Sequence, residues 1–325
     1  MSYGYNGKIL HVDLSSRQIT VEEPDEAFYR KYMGGSAMAM NYLLKQMPGG
    51  VDPLGPENVL VFALSVLTGT AVSGQSRMTA AAKSPLTGAI GDSQCGGFWP
   101  AEFKFAGFDA IVIKGKADKA AYLWIHDGQY ELRDATHLWG KTTGDAETLI
   151  RDELGDQKIE VLQVGPAGEK GVRFAAIMNM SNRANGRTGL GAVMGSKNLK
   201  AVAVRGKKRP GVADKGKLRE IAQWGAKNLA DSDIAGLAKY GTAETTGANQ
   251  ASGTLPAYNY NSGVFAEWEA IDGTTMYDTI LKGAAEGKQD RQGRDTCYAC
   301  TVRCKRVAEI SEGRYKVDPH FGGPE

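Results

Sequence analysis

Histidine and cysteine are scarce in this sequence, four of each among 325 residues, and the shortage narrows the chemistry available. His11, His126, His137 and His320 are scattered, none in an arrangement of serine, cysteine or acid that suggests a nucleophilic triad. Four cysteines cannot staple a chain this long into a disulfide framework. Three of them, Cys297, Cys300 and Cys304, are bunched and Cys95 stands alone, which reads as a metal site in a cytosolic protein. Neither sign of charge prevails. Lys plus Arg number 39 against 37 acids, a net +2 that gives no electrostatic reason to expect nucleic acid or an anionic membrane as partner. No apolar run approaches the roughly 20 residues of a membrane span. The opening stretch has neither a signal-peptide core nor an Arg-rich amphipathic character, so the cytoplasm is the expected address. There is no GxxxxGK[ST] and no strand–GxGxxG–helix, which removes the P-loop and the Rossmann site.

Glycine is the residue in excess, 42 in number against an average usage of about 7%, and it comes in clusters. The length suits two domains of roughly 100–200 residues each. Alternating apolar and polar residues from Lys8 to Leu14 and from Gln18 to Glu22, joined by Ser15-Ser16, predict an opening hairpin. Glu26 to Gln46 has helical spacing loosened by Gly34-Gly35. Asn58 to Leu64 is a short apolar run of buried-strand type.

An internal repeat organises the first two hundred residues. Val59–Ala63, Arg77–Ser84 and Phe108–Lys116 are echoed by Glu160–Val164, Arg173–Asn179 and Leu199–Lys207, with a glycine-rich loop in each copy. The best match sets Ala110-Ile-Val-Ile-Lys-Gly-Lys116 against Ala201-Val-Ala-Val-Arg-Gly-Lys207. Duplication predicts two similar sheets facing each other across a pseudo-twofold axis, with a cofactor between them touched by equivalent loops. A polar stretch, Gly206 to Gly211, reads as a linker. Asp214 to Ala230 then has a helical pattern, Gly241 to Ser262 reads as a long loop, and Met276 to Ala285 as a short helix. The expected fold class is α+β. A domain of two pseudo-symmetric β-sheets with helices (1–207) precedes the beginning of a mainly α-helical domain (208–325). The end, Phe321 to Glu325, reads as an interruption.

Two motifs carry chemistry. Cys297-Tyr-Ala-Cys300-Thr-Val-Arg-Cys304 puts three thiols within eight residues, close enough to wrap one soft metal centre. Spacing alone leaves open an iron–sulfur cluster with a distant fourth ligand, a zinc ion with His320 as fourth ligand, or no metal. The other motif is the pair of glycine-rich stretches, Leu86–Gly97 with Arg77 upstream and Ser181–Gly195 with its own arginines. Bare backbone and a guanidinium fork suit a phosphate-bearing ligand, while glycines serving only turns and packing are the bland alternative.

Together these stretches resemble the aldehyde ferredoxin oxidoreductase family. The resemblance rests on Val51-Asp-Pro-Leu-Gly-Pro-Glu-Asn58, Lys83-Ser-Pro-Leu-Thr-Gly88, Lys104-Phe-Ala-Gly-Phe-Asp-Ala110, Leu138-Trp-Gly-Lys141 and Gly165-Pro-Ala-Gly-Glu169. It continues in Gly189-Leu-Gly-Ala-Val-Met-Gly-Ser-Lys-Asn-Leu-Lys-Ala201, Lys239-Tyr-Gly-Thr242 and Cys297-Tyr-Ala-Cys300. It implies a tungsten bis-pyranopterin docked on the two-sheet domain, with Mg a candidate bridge between the pterin phosphates. The positions that match the pterin contacts of the family are Arg77, Gln94, Gly96, Arg183 and Ala184; Gln94 stands where the family usually has asparagine. Cys297, Cys300 and Cys304 match three ligands of a [4Fe–4S] cluster. Cys95, where the family has serine, is read as a small buried residue.

The implied activity is oxidation of aldehydes to carboxylic acids, with electrons leaving for ferredoxin or an electron-transfer subunit. A homodimer or hetero-oligomer is the implied assembly. The alternatives are a related subunit acting on another substrate, such as an aromatic acyl-CoA, and a non-catalytic fragment that binds only a metal. Family members are nearly twice as long, and their fourth cluster cysteine and catalytic acid have no counterpart in this chain. Glu325 falls two residues short of that acid, so no residue here is assigned a catalytic role.

Overall fold

The computed structural model describes residues 3–317; His320 and the Gly323–Glu325 end discussed above lie outside the described residues. The chain divides into two compact units, Met1–Ala71 with Gln75–Lys215, and Val72–Gly74 with Gly216–Glu325.

The first unit opens on the predicted hairpin, β1 (Ile9–Asp13) and β2 (Gln18–Glu22). The single predicted helix is two, α1 (Glu26–Lys31) and α2 (Gly35–Gln46), parted where Gly34 makes a bridge to Ser65. Then come β3 (Leu60–Leu64), β4 (Met78–Lys83), β5 (Ile90–Cys95), α3 (Trp99–Phe105) and β6 (Ala110–Lys114). These strands form one sheet in the order β2-β1-β6-β3-β4-β5, with β1 and β6 parallel and the other neighbours antiparallel. The second half repeats the plan with β7 (Ala121–His126), β8 (Gln129–Asp134), α4 (Thr143–Leu154), β9 (Glu160–Gln163), α5 (Pro166–Glu169), β10 (Ile177–Asn179), β11 (Arg183–Asn185), α6 (Leu190–Ser196) and β12 (Leu199–Arg205). Its order is β11-β10-β9-β12-β7-β8, again with one parallel pair, β7 and β12. Read from the opposite edge the two sheets are the same. The duplication therefore holds and is larger than the sequence match, because the hairpins repeat as well.

Strands buried on both faces explain the unbroken apolar runs. In β3, Leu60, Phe62 and Leu64 enter a cluster shared by both sheets, while Val61 and Ala63 enter a second cluster under α2. The shared cluster joins Leu10 and Ile111 of one sheet to Leu123 and Val202 of the other through Trp99 and Phe103 of α3 and Val193 and Met194 of α6. α4 covers the remaining face of the second sheet, where Ile150 packs with Tyr122, Val161 and Ala203. Each of these large apolar side chains contributes about 1.5–3 kcal/mol by its burial.

The glycine-rich stretches are not the loops that their composition suggests. Ile90 to Cys95 is an edge strand whose residues alternate exposed and buried, and the second stretch contains both β11 and α6. Small residues hid the strand signal because they supply no apolar alternation to read.

The second unit contains α7 (Lys215–Lys227), α8 (Ala235–Tyr240), α9 (Thr245–Ser252), α10 (Gly273–Thr279), α11 (Gln289–Gln292) and a small hairpin, β13 (Arg294–Asp295) with β14 (Lys305–Arg306). The predicted long loop is corrected here, since it holds a 3-10 turn and α9. α9 buries no residue, so it has no apolar stripe by which to be recognised. α10 starts before the predicted Met276 because Asp272 caps it, accepting from Thr275 N at 2.7 Å. Among the described residues of this unit the buried hydrophobics are Met276, Leu281 and Ala308, and α7 leaves Ile221 and Trp224 exposed. No described helix is long and apolar enough to cross a membrane.

Candidate cofactor surface and cysteine loop

The two sheets meet through their equivalent edge strands, β5 and β11. Two asparagines of the second repeat make the join, and both are fully buried. Asn179 Nδ2 donates to Cys95 Sγ and to Gly96 O, each at 3.0 Å, and Asn185 Nδ2 donates to Ser93 O at 2.6 Å. Between these clips Gln94 faces outward, exposed. In the β10–β11 ladder Asn179 lies opposite Arg183 and Met178 opposite Ala184, so the residue held against Gly96 is also the ladder partner of Arg183. Arg77 precedes β4, where Met78 pairs with Cys95, and its neighbour Ser76 donates to Gly97 O at 2.7 Å. The fold thus brings the five sequence-predicted positions Arg77, Gln94, Gly96, Arg183 and Ala184 to one seam.

They are presented differently. Arg77 is exposed, and its guanidinium makes no hydrogen bond or ion pair with the described residues; it is held only through its backbone, Arg77 N donating to Gln75 O and Thr68 Oγ1 to Arg77 O. Ala184 is also exposed, whereas Arg183 is buried with Nη1 donating to Asn182 Oδ1 at 2.6 Å. An uncommitted guanidinium beside an outward amide and open backbone fits a phosphate-bearing ligand. The later glycines have another purpose. A Cβ built on Gly191 would lie 2.4 Å from Ala176 O, and one on Gly195 would lie 2.1 Å from Gly168 O. These two let backbones pass close to one another, so the packing alternative is the right one for them. Cys95 is buried, as read from the sequence.

The turn between β10 and β11 is strained. Met180 and Ser181 both adopt left-handed backbone, φ 53° and 54°, at about 1–2 kcal/mol per non-glycine residue. Contacts from outside hold it: Phe98 N donates to Met180 Sδ at 3.3 Å and Ser181 Oγ to Glu147 Oε2 at 3.3 Å. Burial raises the Glu147 carboxyl above its ordinary value, against the pull of Arg151 at 2.6 Å. Burial, reinforced by Glu147 and Glu102 and opposed by Arg151 and Arg205, also pushes Glu160 up to about 8. In the folded chain Glu160 keeps its proton to about pH 8, while in the unfolded chain it releases it near about 4.3. Between those values the folded state binds more protons, so stability falls as pH rises, by at most about 1.4 kcal/mol per pH unit. Glu160→Gln is expected to flatten that slope and to be the more stable protein at about pH 8. Melting temperatures of both proteins at about pH 5 and pH 8 check this, and parallel pH curves would contradict it.

In the second unit, β13 and β14 pair Asp295 with Lys305 and so close a loop that carries all three clustered cysteines. Left-handed Ala299 and Arg303 bend it. Thr296 Oγ1 donates to Cys300 O at 2.8 Å, and Ser73 Oγ accepts from Thr301 N at 3.0 Å and lies 3.9 Å from Cys300 Sγ. Arg306, 1% exposed, spans the loop base and donates to Lys239 O at 2.9 Å and to the carbonyls of Cys304 and Arg303. Gly241 is required beside it, since a Cβ there would lie 2.7 Å from Cys304 O. The Lys239-Tyr-Gly-Thr motif is therefore the seat of the cysteine loop. The thiols suit an iron–sulfur centre in kind, yet among the described residues no three His, Cys, Asp or Glu side chains are gathered around one point. Asn179, Asn185, Arg306 and Ser73 escaped the sequence reading. For the asparagines the one available signal was a polar residue at the apolar position of a strand.

Residues 9–206 match the family model for the aldehyde ferredoxin oxidoreductase N-terminal domain, and residues 220–325 match that for domains 2 and 3 of the same family. A tungsten-containing aldehyde ferredoxin oxidoreductase of Pyrococcus abyssi is 44% identical over 307 residues, covering 94% of this chain and 49% of that protein. An aliphatic sulfonate oxidoreductase, WOR-like subunit, of Pyrococcus furiosus is 31% identical, covering 97% and 51%. Among solved structures, the active site complex BamBC of benzoyl coenzyme A reductase with 1,5-dienoyl-CoA superposes with a TM-score of 0.80 at 29% identity, over 95% of this chain and 48% of that one. The relatives that the chain matches are oxidoreductases by name. The chain belongs to the aldehyde ferredoxin oxidoreductase family. It spans about half the length of the relatives it matches.

Proposed function

We propose that this chain supplies the pterin-docking surface and three cluster ligands of a tungsten enzyme that oxidises aldehydes to carboxylic acids. The observation that carries the reading is the seam at which Arg77, Gln94 and Gly96 of one repeat meet Arg183 and Ala184 of the other. Arg77 would hold a pterin phosphate by its free guanidinium. Gln94, Gly96 and Ala184 would meet the ligand's polar edges from the outward face of β5 and β11. Arg183 fixes the turn from the buried side through Asn182, and Mg is the further ion that would neutralise the charge of the pterin phosphates. Cys297, Cys300 and Cys304 would supply three of the four ligands of a [4Fe–4S] cluster. When bound, tungsten with its pterins supplies the two-electron oxidation and the cluster supplies one-electron transfer. Electrons would leave to a ferredoxin or an electron-transfer subunit, in a homodimer or hetero-oligomer.

A second reading keeps the cofactors and changes the substrate to an aromatic acyl-CoA, favoured by the likeness to the benzoyl coenzyme A reductase complex. Anaerobic titration of the native protein, followed by bleaching of its iron–sulfur absorbance, separates the two. The first reading expects reduction by aldehydes. Failure of every aldehyde to reduce the protein would sink it, and a response confined to an acyl-CoA couple would establish the second. Zinc in place of iron and tungsten would mark a non-catalytic metal-binding fragment.

A further inference from the structure

We propose that Asn179 is a positioning residue that makes the two halves of the cofactor surface a single rigid body. The inference rests on the cofactor reading above and adds a residue that the reading does not use. One side-chain amide holds the end of β5 at two points, Cys95 Sγ and Gly96 O. The same residue's backbone is the ladder partner of Arg183. Displacement of Gly96 is thereby transmitted to the Arg183 turn within one residue.

Four further features support a fold built around this clip. The turn that follows Asn179 is left-handed at both Met180 and Ser181, a conformation that neither side chain favours, so its shape depends on what it is fastened to. Gly97 leaves the space that the amide occupies, because a Cβ there would lie 2.1 Å from Asn179 Oδ1. That Oδ1 atom is buried and has no hydrogen-bond partner among the described residues. Burying an amide oxygen without a partner costs free energy, which the two bonds made by the same amide's nitrogen offset. Asn185 repeats the device two residues earlier on β5, donating to Ser93 O, with its own Oδ1 unpartnered among the described residues. The pair grips alternate residues of β5 and leaves Gln94 facing outward between them.

The test uses the full chain and three readouts: alkylation of Cys95 by N-ethylmaleimide followed by peptide mass mapping, amide hydrogen exchange, and tungsten per polypeptide. In Asn179→Ala, Cys95 is expected to label about tenfold faster, the scale of one lost hydrogen bond. Exchange should rise together in residues 93–96 and 180–184, and tungsten per chain should fall several-fold. Asn179→Asp is the second variant, for use also if alanine prevents folding. Its carboxylate cannot donate to Gly96 O at about pH 8 but can when protonated, so the labelling rate of Cys95, taken as a ratio to that of the unaltered chain at the same pH, should return to about one toward about pH 5. A purely structural role would not give that pH dependence. Unchanged labelling in Asn179→Ala, or faster exchange on one side of the seam only, overturns the proposal. So does full retention of tungsten in a variant whose Cys95 is exposed. If the unaltered chain retains no tungsten, the cofactor reading fails, while labelling and exchange still decide whether Asn179 couples the two edges.

Discussion

Replacing Asp109 with alanine is expected to destabilise the first unit by about 3–5 kcal/mol, the scale for breaking one partner out of a buried ion pair. Lys104 Nζ lies 2.7 Å from Asp109 Oδ1, with the two side chains 0% and 1% exposed. The same carboxylate accepts from the backbone of Asn6 and Gly7, at 2.9 Å and 2.8 Å to Oδ2, and from the Tyr29 hydroxyl at 3.2 Å. Burial and the Asp109 charge hold the Tyr29 phenol far above its ordinary value, so it remains a donor. Alanine would strand two amide protons and leave the Lys104 ammonium with Ser65 O, at 3.2 Å. Lys114→Ala is the internal control, because Lys114, 57% exposed, pairs with Asp13 at 3.5 Å, and such pairs contribute about 0–1 kcal/mol. Urea unfolding of the three proteins measures both. A loss below about 1 kcal/mol for Asp109→Ala would mean that the network adds little beyond an exposed pair.

The second large effect concerns function and leaves stability alone. Arg77→Ala removes a side chain that makes no internal hydrogen bond or ion pair among the described residues and is exposed, so stability should move by less than about 0.5 kcal/mol. On the proposed reading bound tungsten should fall by about tenfold or more, because a charge-assisted bond to phosphate would be lost. Melting temperature and tungsten per chain, taken on the same preparation, check the pair of expectations. Undiminished tungsten in the variant would remove Arg77 from the cofactor surface. Arg77→Lys should recover only part of the loss, since a point charge cannot reproduce a bidentate fork.

Much of the fold was legible because its strands are long in apolar residues and occur twice. That β3 is buried could be read from the apolar run Asn58–Leu64, and the copied strands β6 and β12 exposed the duplication. β5 and α9 were not legible, one because its residues are small, the other because it buries nothing. The motifs that carry the family resemblance prove to be mainly props for the fold. Lys104 and Asp109 form the buried pair, and Lys200 pairs with Glu169 at 2.5 Å while donating to Lys141 O. Lys197 Nζ donates to Pro56 O and Gly115 O at 3.2 Å, and Asn58 Nδ2 bonds Pro53 O and Lys83 O. Those residues identify the family because a buried lysine or asparagine has so few acceptable replacements. The cofactor positions themselves were reached through the resemblance, since an exposed arginine or glutamine leaves no periodic trace. Asn179 was missed for the opposite reason, being a polar residue whose partners lie eighty residues away in the other repeat.

Elemental analysis of the anaerobically purified native polypeptide tests the central claim most directly. The account predicts tungsten at a level comparable with the polypeptide itself and iron in about fourfold excess over it, as one cubane cluster requires. Zinc at the level of the polypeptide, with tungsten and iron absent, would contradict the account and leave the two-sheet seam without a cofactor to hold.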